Sequence, residues 1–246
     1  MARTLCVANR KGGVGKTTTA INLAVALAKA SARTLLVDLD PQCNATTGLG
    51  QKPWEEHPLV AGSPLSESVR KTNVDGLDLM AGSRAFQDVE RLAGSDPATA
   101  DRLRQQLASG TSAYDFVLVD CPPSLGRLTE AALAASTEVL MPIQCEYFAM
   151  EGLAEMIQVI GRVMKRANRL QFGGIVLTLY DPTLELTSEV DAQVREFFGE
   201  IVYRTVIPRD VAAAEAPSHG LSVLDYAPRT RAARAYVELC MEVLGA

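Results

Sequence analysis

The chain has 246 residues and a net charge of −5, and 48% of its residues are apolar. This length supports one large α/β domain, and the negative charge excludes a general nucleic-acid polycation, so any DNA contact must come from a local patch. The five cysteines form no Cys-x-x-Cys pair, which favours reduced thiols over a disulfide framework. We expect no signal peptide, and no apolar run approaches the roughly 20 residues of a membrane span.

Short apolar runs alternate with segments of helical periodicity along the chain. The runs predict strands at Thr4–Ala8, Thr34–Val37, Leu77–Met80, Phe116–Val119, Val139–Ile143, Gly174–Leu179 and Ile201–Val206. The periodic segments predict helices at Lys16–Lys29, Pro97–Leu107, Arg127–Ala135, Glu151–Ala167, Glu189–Phe198 and Arg229–Leu244. Residues 48–64 are rich in Gly and Pro and predict a loop around Trp54.

This alternation is typical of a parallel sheet covered on both faces, because crossover helices pack against such a sheet. We therefore predict the α/β class, with a doubly wound, mostly parallel sheet and helices on both faces. No internal repeat, low-complexity tract or flexible linker divides the sequence. Residues 1–246 are predicted to form a single domain.

Residues 9–18 lie between the first predicted strand and helix and read Asn-Arg-Lys-Gly-Gly-Val-Gly-Lys-Thr-Thr. Such a Gly-rich segment, followed by Lys and a hydroxyl residue, is typical of a loop whose backbone N–H groups bind nucleotide phosphates. Lys16 should reach the outer phosphates of ATP, and the Thr17 hydroxyl should bind Mg²⁺. The predicted ATP-binding residues here are Lys11, Gly12, Gly13, Val14, Gly15, Lys16, Thr17 and Thr18.

A second lysine, Lys11, stands at the start of this loop. The loop wraps the phosphates, so its first residue faces outward and is poorly placed for its own nucleotide. Lys11 could instead reach a nucleotide bound to a second subunit. We therefore predict a homodimer that forms on ATP binding, in which both Lys11 and Lys16 contribute to catalysis.

Carboxylates follow two predicted strands, at the end where α/β proteins bind ligands. Asp120 follows Phe-Val-Leu-Val and is expected to hold Mg²⁺ through water. Asp40 is the better candidate for positioning the attacking water, because it lies closer to the strand end than Asp38, for which a structural role is equally open. The predicted catalytic carboxylate is therefore Asp40, and the predicted metal-site residues are Thr17, Asp40 and Asp120.

Further blocks of sequence resemble one protein family. They are Lys11–Thr19, Leu35–Ala45, Asp120–Gly126, Pro142–Phe148, Ile207–Asp210, Glu215–Gly220 and Tyr226–Arg229, and they span nearly the whole chain. In these blocks the chain resembles the ParA/Soj family of chromosome- and plasmid-partitioning ATPases, of the deviant Walker A class, and most of all its short chromosomal type. The resemblance implies the P-loop NTPase fold and a weak, Mg²⁺-dependent hydrolysis of ATP to ADP and phosphate.

The resemblance also implies a working cycle. ATP would close a sandwich dimer in which Lys11 crosses to the partner's nucleotide, Gly12 lies where the two loops approach, and Asp40 supports hydrolysis. Pro208 and Asp210 would lie beside the adenine, although the family usually has Asn at the second position. The implied partners are a ParB-type protein with a basic N-terminal tail and nonspecific DNA, in the bacterial cytoplasm and, through DNA, at the nucleoid.

The chain departs from the family where DNA contacts are expected. The family commonly has arginines at the positions of Thr183 and Ala212, and nonspecific DNA affinity comes mainly from phosphate contacts by Lys and Arg. The basic residues that could replace them are Lys165, Arg166, Arg195, Arg209, Arg229 and Arg231. These could equally be solvated surface charges. An ATP switch that has lost DNA binding and acts through protein partners therefore stays open.

Two other classes of ATPase are weighed and set aside. A MinD-like membrane-positioning ATPase would end in a basic amphipathic helix, but residues 235–246 are acidic and lack lysine, so no membrane partner is expected. A relative of the nitrogenase iron protein would need cysteines that bridge a cluster between two subunits. Cys121 alone does not meet that need.

Overall fold

A single sheet runs through the computed structural model, which describes residues 2–57, 63–87, 104–107, 109–124, 126–147, 149–165 and 169–245. The strands are β1 (Arg3–Val7), β2 (Thr34–Asp38), β3 (Val69–Lys71), β4 (Leu77–Met80), β5 (Phe116–Asp120), β6 (Glu138–Gln144), β7 (Gln171–Tyr180) and β8 (Val202–Pro208). Their order is β3-β4-β2-β5-β1-β6-β7-β8. Only β3 is antiparallel to its neighbour among these described strands, which confirms the predicted, mostly parallel sheet.

Helices connect the strands and cover the sheet. They are α1 (Lys16–Lys29), α2 (Asn44–Gly48), α3 (Leu65–Ser68), α4 (Arg127–Ala135), α5 (Ala149–Met164), α6 (Glu185–Phe198), α7 (Val211–Glu215), α8 (Val223–Tyr226) and α9 (Arg231–Gly245). Single 3-10 turns lie at Gly199–Ile201 and Ala216–His219. The predicted helix Pro97–Leu107 falls mostly outside the described residues. Its described part, residues 104–107, is helical.

Both faces of the sheet are buried, so successive residues of one strand enter different cores. Val117 and Val119 of β5 pack with residues of α4, α5 and α6. Leu118, between them, packs with residues of α1 and α9. This two-sided burial explains why the strands are continuous apolar runs and confirms the doubly wound arrangement.

The ends of several elements differ from the sequence prediction because local hydrogen bonds set them. α9 begins at Arg231 and not at Arg229, since Thr230 N–H closes a turn on the carbonyl of Ala227 at 3.1 Å. α6 begins at Glu185, four residues before the predicted start, after a turn that Leu184 N–H closes on Asp181. These shifts leave the order of elements unchanged.

The crevice of this fold lies between two adjacent strands. From β1 the chain continues into α1 on one face of the sheet, whereas from β5 it continues into α4 on the other face. The loops that follow β1 and β5 therefore diverge at the carboxyl edge of the sheet. Ligands of open α/β sheets bind at such a switch point.

Candidate nucleotide site

The phosphate loop joins β1 to α1, and its backbone requires glycine at two positions. Gly13 and Gly15 have φ values of 76° and 82°, which strain any residue with a side chain. Gly15 is the N-cap of α1 and carries no side-chain acceptor for the first N–H groups of the helix. Those N–H groups, at the positive end of a 14-residue helix, are therefore available to an anion.

Lys16 lies within the loop and not on its surface. The residue is only 6% exposed, and its Nζ donates to the carbonyl of Lys11 at 3.1 Å. Burial lowers the pKa of Lys16, while the charges of Asp120 and Asp40 oppose that change. The lysine thus places a buried positive charge where the loop would hold phosphate.

Asp120 provides the best test of the predicted metal site. It is completely buried at the end of β5, where Thr17 Oγ1 donates to its Oδ2 at 2.7 Å. Its Oδ1 has no hydrogen-bond partner among the described residues. Burial, reinforced by the charge of Asp38, raises the pKa of Asp120 well above its ordinary value. A buried carboxylate oxygen without a donor, next to a threonine hydroxyl, fits the oxygen ligands that Mg²⁺ prefers.

The two aspartates that follow β2 have different surroundings. Asp38 is completely buried and accepts hydrogen bonds from the N–H and the hydroxyl of Thr46, at 2.8 and 2.6 Å. Burial raises the pKa of Asp38, although these two hydrogen bonds oppose the change. Asp40 is 5% exposed, and its Oδ1 accepts from Gln42 N–H at 2.9 Å. Both carboxylates thus accept hydrogen bonds within the protein, and Asp40 is the more exposed of the two.

Two polar side chains that hold the loop were missed by the sequence analysis. Asn9 Nδ2 donates to the carbonyl of Pro142 at 2.8 Å, and its Oδ1 accepts from Lys11 N–H at 3.0 Å. Thr178 Oγ1 donates to the carbonyl of Val14 at 2.8 Å. These contacts attach the loop to β6 and β7. Both residues lie near the end of a buried strand, and this position of a polar residue was the sequence signal that could have identified them.

The predicted adenine residues lie at the end of β8, at the same edge as the loop. Pro208 is in register with Tyr180, the last residue of β7. Asp210 joins two helices, because its Oδ1 accepts from Ala212 N–H at 3.0 Å and its Oδ2 from Ala232 N–H at 3.2 Å. Adenine binding by Pro208 and Asp210 stays a prediction.

Comparison with known proteins places this site in a family. A family model described as an AAA domain matches residues 2–172. The chromosome-partitioning ATPase Soj of Treponema pallidum is 44% identical, over 99% of this chain and 98% of its own. The chromosome partitioning protein ParA of Caulobacter vibrioides is 43% identical, over 98% and 94%. The chain belongs to the ParA/Soj family of partitioning ATPases.

A solved structure outside partitioning shares the fold of this ParA/Soj chain. It is a cobyrinic acid a,c-diamide synthase from Mycobacterium smegmatis with bound ADP and magnesium. It is 31% identical, with a TM-score of 0.85 over 99% of this chain and 94% of its own. The predicted P-loop type of α/β sheet is confirmed.

Lys11 of this ParA/Soj chain pairs with a residue outside its own loop. Its Nζ donates to Glu146, which follows β6, and both side chains are partly exposed. An ion pair in water contributes little, so Lys11 can exchange this carboxylate for another anion. At Gly12, a Cβ would meet nothing within 4 Å in this chain. Any requirement for glycine there must come from a bound molecule or a second subunit.

Three of the six arginine and lysine candidates for DNA binding lie at the loop edge. Arg209 follows β8, and Arg229 and Arg231 lie just before and at the start of α9; all three are exposed. Hydrogen bonds from Thr183, and then the charges of Arg209 and Arg231, lower the pKa of Asp181. The two arginines therefore lie within electrostatic reach of the segment that contains Thr183.

The other three candidates do not extend this group. Lys165 follows α5, which returns to the opposite edge of the sheet, where β7 begins. Arg166 lies outside the described residues. Arg195 Nε donates to Asp191 at 2.6 Å and its Nη1 to the carbonyl of Tyr203 at 3.1 Å. The donors of Arg195 are thus engaged at the sheet edge, so we omit it from the DNA surface.

Cysteine and helix placement bear on the two alternatives set aside above. Cys121 is completely buried, with its Sγ 3.3 Å from that of Cys6, so it does not reach a surface between subunits. α9 buries Tyr236, Leu239 and Val243 against the sheet. In the described ranges, no helix has the length and apolar character needed to cross a membrane.

Proposed function

We propose that this chain is an ATP-dependent dimerising switch with weak Mg²⁺-dependent ATPase activity, which partitions DNA together with a ParB-type partner. The observation that supports this most is the arrangement of two lysines around one loop. Lys16 is buried within the loop, beside Thr17 and Asp120, whereas Lys11 is partly exposed and pairs with Glu146 outside the loop. One lysine thus serves the chain's own nucleotide, and the other is available to a partner.

Each residue of the site has a proposed part in ATP hydrolysis. Lys16 and the N–H groups at the start of α1 bind the outer phosphates and stabilise the charge that develops on them. Thr17 and Asp120 would hold Mg²⁺, which supplies further charge neutralisation when bound. Asp40 orients the attacking water. Loss of the outer phosphate removes the group that the partner's lysine contacts, and the dimer separates.

The relatives support the biological role. The Soj and ParA relatives are named for chromosome partitioning, and the synthase was solved with ADP and magnesium. We transfer both properties to this chain because it matches these proteins over nearly its whole length. We place the protein in the bacterial cytoplasm, and at the nucleoid when it binds DNA.

For DNA we propose the basic surface of Arg209, Arg229 and Arg231, at the loop edge. These arginines would supply the phosphate contacts that Thr183 and Ala212 do not. The alternative is a switch that acts through protein partners alone. It is supported by Thr183 and Ala212, which stand where the family commonly has arginines. Thr183 Oγ1 donates to Asp181 at 2.7 Å, and Ala212 packs against the core, so neither offers a cation.

Lysine variants test the proposed switch. We expect Lys16→Ala to lose ATP binding, because a buried cation opposite the phosphates is removed. Lys11→Ala should retain most of the ATP affinity and lose the dimer. Binding is measured with a labelled ATP analogue and dimerisation by sedimentation velocity with ATP or ADP.

Lys29→Ala is the matched control, since Lys29 pairs with Asp225 at the far end of α1. It should bind ATP and dimerise as the unmodified protein does. A Lys11→Ala protein that still dimerises with ATP would show that the assigned role of Lys11 is wrong.

A further inference from the structure

We infer that Asp38 is a positioning residue for ATP hydrolysis, which acts by fixing the turn that carries Asp40. This inference rests on the proposed ATPase function and deepens it. Asp38 is completely buried, and it is the last residue of β2. Asp40, two residues further on, is the residue proposed to orient the attacking water.

The carboxylate of Asp38 organises the segment that follows it. Its Oδ1 accepts from the N–H of Asp40 at 3.2 Å. Its Oδ2 accepts from both the N–H and the hydroxyl of Thr46, at 2.8 and 2.6 Å. One side chain thus joins the end of β2 to α2, and the turn between them contains Asp40.

A third segment completes this network. The hydroxyl of Thr46 donates to Asp38 and accepts from the N–H of Gly82, just beyond β4, at 2.7 Å. A Cβ at Gly82 would come within 3.0 Å of the Asp38 carboxylate, so the close approach of this backbone depends on glycine. The turn is therefore tied to the neighbouring strand as well as to its own.

Both backbone groups of Asp40 are fixed by this arrangement. Its N–H is held by Asp38, and its carbonyl accepts from Cys43 N–H at 2.8 Å. Cys43 itself adopts a left-handed backbone conformation, with φ of 55°, that this turn imposes. Asp38 engages both oxygens in these contacts, so we expect it to act through Asp40 and not on the nucleotide itself.

The test removes the hydroxyl of Thr46 and leaves both aspartates in place. Thr46→Val keeps the side-chain volume and the hydrogen bond from the backbone N–H to Asp38, but it loses the two hydrogen bonds that the hydroxyl makes with Asp38 and with Gly82 N–H. We expect kcat for ATP hydrolysis to fall roughly ten- to a hundredfold, because small displacements of a catalytic group are costly. The KM for ATP should change by less than about twofold, since the phosphate loop is untouched.

Two further threonine variants serve as controls. Thr46→Ser keeps the hydroxyl and should restore the rate. Thr47→Val removes a neighbouring exposed hydroxyl, which bonds to the carbonyl of Cys43 and not to Asp38, and should leave kcat unchanged. If Thr46→Val does not fold, as judged by its melting temperature, Asp38→Asn is measured in its place with the same expected result.

The outcomes separate this inference from the proposed function. If the unmodified protein hydrolyses ATP and a folded Thr46→Val or Asp38→Asn variant matches its kcat, Asp38 does not position Asp40 and the inference is overturned. A parallel loss of kcat in Thr46→Val and Thr47→Val also overturns it, because the effect is then general to α2. If the unmodified protein is no faster than Lys16→Ala, the proposed ATPase function itself fails.

Discussion

Buried charge distinguishes the residues of this site from those of the surrounding core. Lys16, Asp38 and Asp120 lie close together with almost no exposure to solvent. Burial lowers the pKa of Lys16 and raises those of both carboxyls, so the fold disfavours the charged form of all three. Burying these charges costs free energy in the nucleotide-free protein. An anionic nucleotide beside Lys16 and a cation beside the carboxylates would reduce that cost.

Asp120→Asn tests this account of buried charge. The pKa of Asp120 is higher in the folded protein than the ordinary carboxyl pKa of 3.8. Its contribution to stability is therefore most favourable below pH 3.8 and declines as pH rises through the pKa of the folded state. At pH 7 the neutral amide should therefore raise the melting temperature of the nucleotide-free protein, by roughly 2–4 °C for about 1 kcal/mol. Thermal denaturation between pH 4 and 8 measures this, and Mg²⁺-dependent hydrolysis should be lost.

Asp115→Asn is the matched control, at the start of the same strand. The exposed Arg33 lowers the pKa of Asp115 to about 2, so this charge adds stability above the ordinary carboxyl value and loses it as pH falls. Its removal should not raise the melting temperature at pH 7. A lower melting temperature for Asp120→Asn at pH 7 would contradict the account.

Residues that act through local spacing could be predicted from the sequence, and those that act through distant contacts could not. Lys16 and Thr17 stand at fixed positions in one motif, and Asp120 ends an apolar strand. Asn9 and Thr46 are ordinary polar residues in the sequence. Their partners, Pro142 and Gly82, are brought to them only by strand order, which hydrophobic periodicity does not specify.

At the scale of elements, length decided what the sequence could predict. α1, α4, α5, α6 and α9 were predicted as helices because each carries enough turns to show its period, and α1 and α4 also have the predicted bounds. The three-residue strand β3 and the short helices α7 and α8 were not predicted. Each is too short to show a hydrophobic period in the sequence. Individual contacts define these pieces instead: β3 pairs with β4, Asp210 caps α7 and Ser222 caps α8.

The outer strand β8 shows how side chains protect the edge of the sheet. Glu242 of α9 accepts from the N–H groups of Arg204 and Thr205, at 2.9 and 2.8 Å. Arg195 of α6 donates to the carbonyl of Tyr203 at 3.1 Å. These contacts occupy backbone groups that could otherwise pair with a strand of another molecule.

Removal of the Glu242 carboxylate should expose this edge. We expect Glu242→Ala to lower the free energy of unfolding by about 1 kcal/mol, because two N–H groups lose their acceptor. It should also increase self-association at high concentration without nucleotide. Urea denaturation and light scattering measure the two effects.

The control for this variant is Glu238→Ala, one turn earlier on the exposed face of α9. It removes the same charge but leaves Glu242 in place as the acceptor for the Arg204 and Thr205 N–H groups. Equal urea midpoints for the two variants would show that Glu242 does not protect the edge.

In the whole molecule, the proposed nucleotide and DNA surfaces share one edge of the sheet. The phosphate loop, the turns after β2 and β5, and Arg209, Arg229 and Arg231 all lie at the carboxyl ends of the strands. A dimer that closes over ATP at this edge would bring two such basic groups together. Because the chain carries a net charge of −5, DNA binding would depend on such a local group of arginines.

The most direct test is DNA binding by the Asp40→Ala protein, with ATP or ADP, titrated across salt. This variant should hold the ATP dimer, so hydrolysis cannot separate the dimer during the measurement. We predict that binding depends on ATP. The logarithm of its association constant should fall linearly with the logarithm of the salt concentration. Replacement of Arg209 and Arg231 by Ala in the same background should lower the steepness of that fall. Absence of binding at low salt, with the dimer confirmed in the same sample, would contradict the DNA-partitioning account and favour a switch that acts through protein partners.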